Sequence, residues 1–262
     1  MNLNLIDKHA VVCGSTQGIG KASAIELALM GANVTLIARN EDALKKTIAE
    51  LDHSKKQQHQ YIVADFINPA DLTEKINAYV SKNGPVNILV NNTGGPAGGP
   101  IIDAKLSEFM QTFSNHLLCN HIITQAVVPG MKQSGYGRII NIISTSVKDP
   151  IKGLGVSNTI RAAVANWSKT LSKELGQFGI TVNNVLPGAT KTQRLTSILD
   201  SKSQKTGVNK EQLEKEMLHE IPLSRFADAA EVAAAVAFLA SPAAAYISGI
   251  NIPVDGGRTG NL

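Results

Sequence analysis

The stretch His9-Ala10-Val11-Val12-Cys13-Gly14-Ser15-Thr16-Gln17-Gly18-Ile19-Gly20 decides the fold. Its first five residues form a short apolar run of strand length. The next few are rich in glycine and small polar side chains. From Gly18 an apolar helical pattern runs to Met30. In such a strand–loop–helix unit, glycines let the backbone come close to a pyrophosphate. The helix N-terminus adds free N–H groups and the positive end of a dipole. Glycines at this spacing can also make a tight turn with no ligand. The strand before them and the helix after them favour a dinucleotide site.

Working outward, short apolar runs alternate with helical patterns almost to the end. Residues 33–38, 60–64, 87–91, 138–143 and 181–186 read as strands. Residues 41–51, 70–81, 107–132, 158–177 and 229–240 read as helices. The strand runs are apolar nearly throughout, which suits a sheet covered on both faces. Regular alternation predicts an α/β, single-domain Rossmann fold spanning 1–262. It has a doubly wound parallel sheet of about seven strands with helices on both faces. In the helix after Ser157, the residues Ile160, Val164, Trp167, Leu171 and Leu175 recur at helical spacing and mark its buried side. Ser157 and Arg161 are four apart and share one face of that helix. Two segments break the alternation. Gly94 to Pro100 must be a loop, and 193–220 is a long, charged, partly helical excursion of the kind that forms active-site lids.

Composition narrows the classes. A 262-residue chain that is 43% hydrophobic and 18% charged can bury a large core. The net charge of +4 is spread out, and the pairs Lys45-Lys46 and Lys55-Lys56 read as solvated positions near a helix end, so no nucleic-acid partner is expected. The run 229–240 is too short to span a bilayer, and residues 1–12 lack the features of a secretory leader. A soluble, cytoplasmic protein without membrane contact is expected. Cys13 and Cys119 are too few and too scattered for a disulfide framework or a metal site, so two free thiols and no metal are expected.

The end of the second strand selects between nicotinamide cofactors. An acidic residue there would accept the ribose 2′-hydroxyl of NAD. This chain has Ala38-Arg39-Asn40, and an arginine can pair with a 2′-phosphate, so NADP(H) is favoured over NAD(H).

Taken together, these motifs resemble the short-chain dehydrogenase/reductase family over essentially the whole chain. The glycine spacing is similar to that family's TGxxxGxG, with Cys13 in place of threonine. Asn91-Asn92-Thr93-Gly94 resembles its NNAG, and Asp65, followed by Phe66, stands where an aspartate meets the adenine ring. Pro187-Gly188 with Thr192 resembles the PGxxxT stretch that closes on the nicotinamide. The C-terminal runs 246–249 and 254–257 resemble the 3-oxoacyl-carrier-protein reductase branch. The resemblance implies a cofactor site drawn from Gly14, Ser15, Thr16, Gln17, Gly18, Ile19, Gly20, Arg39, Asn40, Asp65, Phe66, Asn91, Gly94, Arg161, Pro187, Gly188 and Thr192. It also implies a small-molecule substrate and a homodimer or homotetramer.

The family's catalytic set is Asn, Ser, Tyr and Lys. Asn115 and Ser144 stand in the first two places. Counting on from Ser144 brings Tyr-x-x-x-Lys to Ser157-Asn158-Thr159-Ile160-Arg161, and no tyrosine lies between Tyr136 and Tyr246. A phenol titrates near 10 and a neighbouring lysine lowers it; a serine hydroxyl is far less acidic and sits nearer the backbone. Arg161 keeps a positive charge for ribose hydroxyls but does not titrate near neutrality. The candidate catalytic residues are therefore Ser144, Asn115, Ser157 and Arg161, with Ser157 or water delivering the proton. His116, next to Asn115, is a weaker candidate, because adjacent helix positions point about 100° apart. Tyr246 is another weak one. Three functions remain open: an NADP(H)-dependent carbonyl/alcohol oxidoreductase, a catalytically inactive NADP-binding sensor or partner subunit, and a non-redox reaction on the same scaffold.

Overall fold

A computed structural model describes residues 1–260, so the last two residues of the expected domain lie outside the described residues. Seven strands make one sheet in the order β3-β2-β1-β4-β5-β6-β7, every neighbouring pair parallel. They are β1 (His9–Cys13), β2 (Asn33–Ala38), β3 (Gln60–Val63), β4 (Ile88–Asn91), β5 (Gly137–Ile142), β6 (Ile180–Pro187) and β7 (Asn251–Val254). The order reverses between β1 and β4, which lie side by side. Ligands of open α/β sheets bind in the crevice at the carboxyl ends of such a pair.

Helices cover both faces. On one side α1 (Gly18–Leu29) and α9 (Ala229–Ala240) pack together over the sheet, Ala24, Leu27 and Ala28 meeting Val232, Val236 and Leu239. The alanines of α9 let the two backbones approach closely, as its composition implied. α2 (Glu41–Ala49) lies on the same side and contributes Leu44. On the other side α3 (Pro69–Asn83) and α5 (Cys119–Ser134) bury Leu72, Ile76, Ile123, Val127 and Met131. α6 (Gly155–Leu175) buries Ile160, Val164 and Leu175, three of the five positions read from its periodicity, and holds Trp167 and Leu171 partly buried. Both cysteines are free and buried. Among the described residues, no helix is long and apolar enough to cross a membrane.

Two departures from the expected elements matter for the site. The helix expected over 107–132 is α4 (Leu106–Phe113) running into α5 through one π-helical turn, Ser114–Leu118, closed by the Cys119 N–H on the Ser114 carbonyl. The excursion between β6 and β7 is two helices, α7 (Gln193–Thr206) and α8 (Lys210–His219), held together by a small apolar cluster of Leu195, Leu199 and Leu213.

Candidate active site

The glycine loop is shaped by close approaches that no side chain could share. Gly14 has φ +57°, a conformation that favours glycine. A Cβ on Gly20 would lie 2.2 Å from the Gly14 carbonyl oxygen and 2.6 Å from Asn92 Nδ2. Asn92 is the strut of this loop: its Nδ2 donates to the carbonyls of Cys13 (3.3 Å) and Gly14 (3.2 Å). Sequence reading missed that role, although the doubled asparagine was its signal. No side chain caps the first turn of α1 and no acidic residue lies in it, so its N–H groups stay open to an anion. Thr16 is partly buried and Gln17 exposed on the same rim, whereas Ser15 is fully buried and donates to the Ile37 carbonyl (3.4 Å).

At the end of β2, Arg39 is exposed and makes no ion pair among the described residues. Asn40 caps α2, its Oδ1 accepting from the Ala43 N–H at 2.9 Å. Asp65, partly buried past the end of β3, accepts from the Ile67 N–H (3.1 Å). Phe66 packs against the core beside α5, and its carbonyl accepts from the Cys119 thiol, so any ligand contact there is left to the backbone or ring edge. Thr192 starts α7 over the loop: a Cβ on Gly18 would lie 3.2 Å from Thr192 Cγ2. Gly188 lies against Asp255, where a Cβ would come within 2.7 Å of the Asp255 Cα. The C-terminal signature thus packs onto Pro187-Gly188.

Asn91 does not face this cleft with its side chain. It is 1% exposed, and its Nδ2 donates to Asn141 Oδ1 at 2.9 Å. Asn141 in turn donates to Asn184 (3.0 Å), and Asn184 to Asn251 (2.8 Å). These four asparagines occupy matched register positions on β4, β5, β6 and β7 and form a hydrogen-bonded row through the sheet. Side chains alternate along a strand, so Asn92 points into the cleft and Asn91 into the sheet face.

The catalytic candidates gather at the carboxyl ends of β4 and β5. Ser144 follows β5, and its Oγ accepts from the Ser146 N–H (3.1 Å), leaving its own proton free to donate. Arg161 reaches up from α6 and donates from Nη1 to the Ile142 carbonyl at 2.8 Å. Ser157 is partly buried one turn earlier on the same face. Asn115 departs from expectation. Its Oδ1 accepts from Gln111 Nε2 (2.7 Å), on the outer side of the helix. The inward residue is His116, 3% exposed, whose Nδ1 hydrogen-bonds the Thr93 hydroxyl. The cause is the π-helical turn, which takes in one extra residue and rotates the inward face by one position. Tyr246 is fully exposed and has no place in the site.

Charge in the site is positive. Burial, and after it the nearby Arg161 and Arg194, hold His116 well below the ordinary imidazole range. Burial and Arg194 lower Arg161 to about 10. Burial also lowers His9, in a network with Tyr79 and Thr35, and His59. The sign is the same for all three. As pH falls below about 6.5 the unfolded chain protonates these histidines while the folded chain resists, so the stability they provide is present above that pH and lost below it. We expect Tm to fall between about pH 7 and pH 5, before carboxylates such as Glu231, held at about 2 chiefly by Arg225, begin to titrate. Calorimetric scans at constant ionic strength check this; a flat Tm across that interval contradicts it.

With this geometry in place, relatives are informative. The sequence profile described as "Enoyl-(Acyl carrier protein) reductase" matches residues 14–259. The chain belongs to the short-chain dehydrogenase/reductase family. It is 31% identical over 254 residues to "NADPH-dependent reductase BacG" of Bacillus subtilis, covering 95% of this chain and 97% of that protein. It is 33% identical over 257 residues to the 3-oxoacyl-[acyl-carrier-protein] reductase FabG of Vibrio cholerae, covering 97% and 98%. The crystal structure of L-sorbose reductase from Gluconobacter frateurii, complexed with NADPH and L-sorbose, superposes with a TM-score of 0.92 at 28% identity and full coverage of both chains. Within this family fold, the cradle at Gly14–Gly20 follows β1, Ser144 follows β5, and Arg161 lies close enough to His116 to lower its pKa.

Proposed function

We propose that the chain is an NADP(H)-dependent oxidoreductase acting on a carbonyl or alcohol substrate, with an atypical active site in which Ser157 and Arg161 stand where the family places tyrosine and lysine. The observation that carries it is the glycine cradle and open helix N-terminus beside Ser144 and Arg161. The relatives described above, one NADPH-dependent and one bound to NADPH, support the cofactor assignment, and FabG supports a 3-oxoacyl-type substrate as one candidate.

The residues fit that cofactor. The backbone of 14–20 would hold the diphosphate, Arg39 with the amide of Asn40 the 2′-phosphate, and Asp65-Phe66 the adenine. The Asn91–Gly94 segment, Arg161, Pro187-Gly188 and Thr192 would border the ribose and nicotinamide. When bound, the cofactor supplies or accepts hydride at the substrate carbon. Ser144 donates a hydrogen bond to the carbonyl oxygen, and the charge of Arg161 favours negative charge developing there. Ser157 or an ordered water passes the proton. Asn115 enters through its helix position rather than its side chain, and His116, neutral, holds Thr93 and the start of the rim loop. The helices of 193–220 act as the lid. Two buried free thiols fit a cytoplasmic setting.

Turnover of NADPH against a panel of ketones, 3-oxoacyl thioesters included, tests the assignment. One observation favours a second reading, a non-catalytic NADP-binding sensor or subunit: the missing phenol. Tight NADPH binding with no turnover is its expected signature. For cofactor choice, Arg39→Asp is expected to weaken NADPH by about ten- to a hundredfold, the loss of a charge-assisted hydrogen bond, while NADH use rises. Kd values for both cofactors check this, and an unchanged ratio contradicts it. A homodimer or homotetramer is the proposed assembly. It is supported by an exposed apolar row on α4, Leu106, Met110 and Phe113; a monomer by light scattering contradicts it.

A further inference from the structure

Two guanidinium groups come together at the substrate end of the crevice without a carboxylate. Arg194, near the start of α7, reaches across to the opposite rim, where its Nη2 donates to the Pro96 carbonyl at 2.5 Å. The group lies close over Gly95: a Cβ there would be 3.0 Å from Nη2 and 3.2 Å from Cζ, a tight contact that the guanidinium would have to shift to relieve. Arg161 approaches from α6, held at the Ile142 carbonyl two residues before Ser144. Thr93, two residues before Gly95, holds His116 between the two elements.

Each guanidinium carries five N–H donors in a fixed fork, and each of these spends one on a backbone carbonyl. Among the described residues neither arginine makes an ion pair. Arg194 presses on both Arg161 and His116, and the latter is held neutral. Buried or half-buried cations are ordinarily paired, because desolvated charge is costly. An arrangement with two cations, one neutral imidazole and several idle donors is complete only with an anion.

We propose that Arg194, backed by the charge of Arg161, binds a carboxylate of the substrate, so that the preferred substrates are keto acids or hydroxy acids rather than neutral ketones. This rests on the oxidoreductase reading and names its substrate class. A cofactor phosphate offers the same anionic chemistry. Its seat, however, is the Gly14–Gly20 loop, whereas Arg194 is turned onto Pro96 and Arg161 is fixed beside Ser144. A planar fork matched to a carboxylate also gives orientation: one anchored end fixes the carbonyl relative to Ser144.

The test uses the full chain, NADPH, and a series of keto acids with the carbonyl two to four carbons from the carboxylate, each paired with its methyl ester. Acids are expected to exceed their esters in kcat/KM by about ten- to a hundredfold, as the loss of a charge-assisted hydrogen bond implies. In Arg194→Gln that ratio collapses to about one, and Arg194→Lys restores part of it. Calorimetric titration of the keto acids into the NADP⁺ complex reads the same site without turnover. Acids that bind the wild type and fail to bind Arg194→Gln support the proposal even if no substrate turns over, an outcome that would instead defeat the oxidoreductase reading. Equal handling of acids and esters overturns it. So does an Arg194→Gln variant whose NADPH affinity falls by as much as its acid affinity, which would assign the anion to the cofactor.

Discussion

Gly20→Ala is expected to weaken NADPH binding at least a hundredfold and to lower Tm, the largest effect of any single change at the cofactor site. The new methyl would sit 2.2 Å from the Gly14 carbonyl oxygen and 2.6 Å from Asn92 Nδ2. The first is backbone at the turn itself, and the second is the strut that holds the turn, so neither can yield without opening the loop. Overpacking of this kind costs about 1–3 kcal/mol, which for a chain of this size lowers Tm by about 3–10 °C. Binding suffers more than stability, because the N–H groups that must converge on a diphosphate lose their common aim. We expect at least a hundredfold loss of NADPH affinity, about 2.7 kcal/mol. Gly176→Ala is the matched control. That glycine has ordinary right-handed backbone angles and nothing within 4 Å of an added Cβ, so binding and Tm should stay within error. Fluorescence titration and thermal melts of the two variants decide it. Retained NADPH binding in Gly20→Ala would place the cofactor elsewhere.

The second large effect is a gain. The double change Ser157→Tyr with Arg161→Lys is expected to raise kcat on small neutral ketones by about 10²–10⁴, the usual worth of a positioned general acid. Position 157 is partly buried, one turn before Arg161 and on its face of α6, so a phenol there would point toward the oxygen that Ser144 serves. Lysine at 161 keeps the cation that lowers the phenol's pKa. The same variant should keep its preference for carboxylate substrates, because Arg194 is untouched and a cation remains at 161. If the variant folds, binds NADPH and gains nothing, the pocket serves a chemistry other than carbonyl reduction. Steady-state rates on one neutral ketone, before and after the change, carry the comparison.

Much of this was legible in the sequence because it is local or periodic. The β1–loop–α1 unit could be read from a five-residue apolar run, three glycines and a 3.6-residue pattern. The buried stripe of α6 emerged from spacing alone. What escaped reading depends on distant contacts or on a change of period. A π-helical turn at Ser114–Leu118 leaves no mark in the pattern of α4 and α5, yet it decides that His116 faces the crevice and Asn115 faces Gln111. Asn91 and Asn92 are chemically identical neighbours. Only the pleat of β4 separates the one that joins the asparagine row through the sheet from the one that props the glycine loop. Arg194 sits in a charged excursion that reads as a lid without singling out any one residue; its partner is Pro96, in a loop 98 residues earlier in the chain. Arg161 could be read from the motif spacing, whereas Arg194 and His116, its charged and titratable neighbours, lie outside the motifs.

The measurement that bears most directly on the central claim is the rate of NADPH oxidation by the wild-type chain across a panel of ketones, keto acids and 3-oxoacyl thioesters. Product analysis and the Gly20→Ala variant serve as background. The account predicts at least one carbonyl reduced to its alcohol in step with NADPH consumed, with NADPH preferred to NADH and no turnover by the variant. Tight NADPH binding with no carbonyl reduced above the variant's rate, across the whole panel, would contradict it.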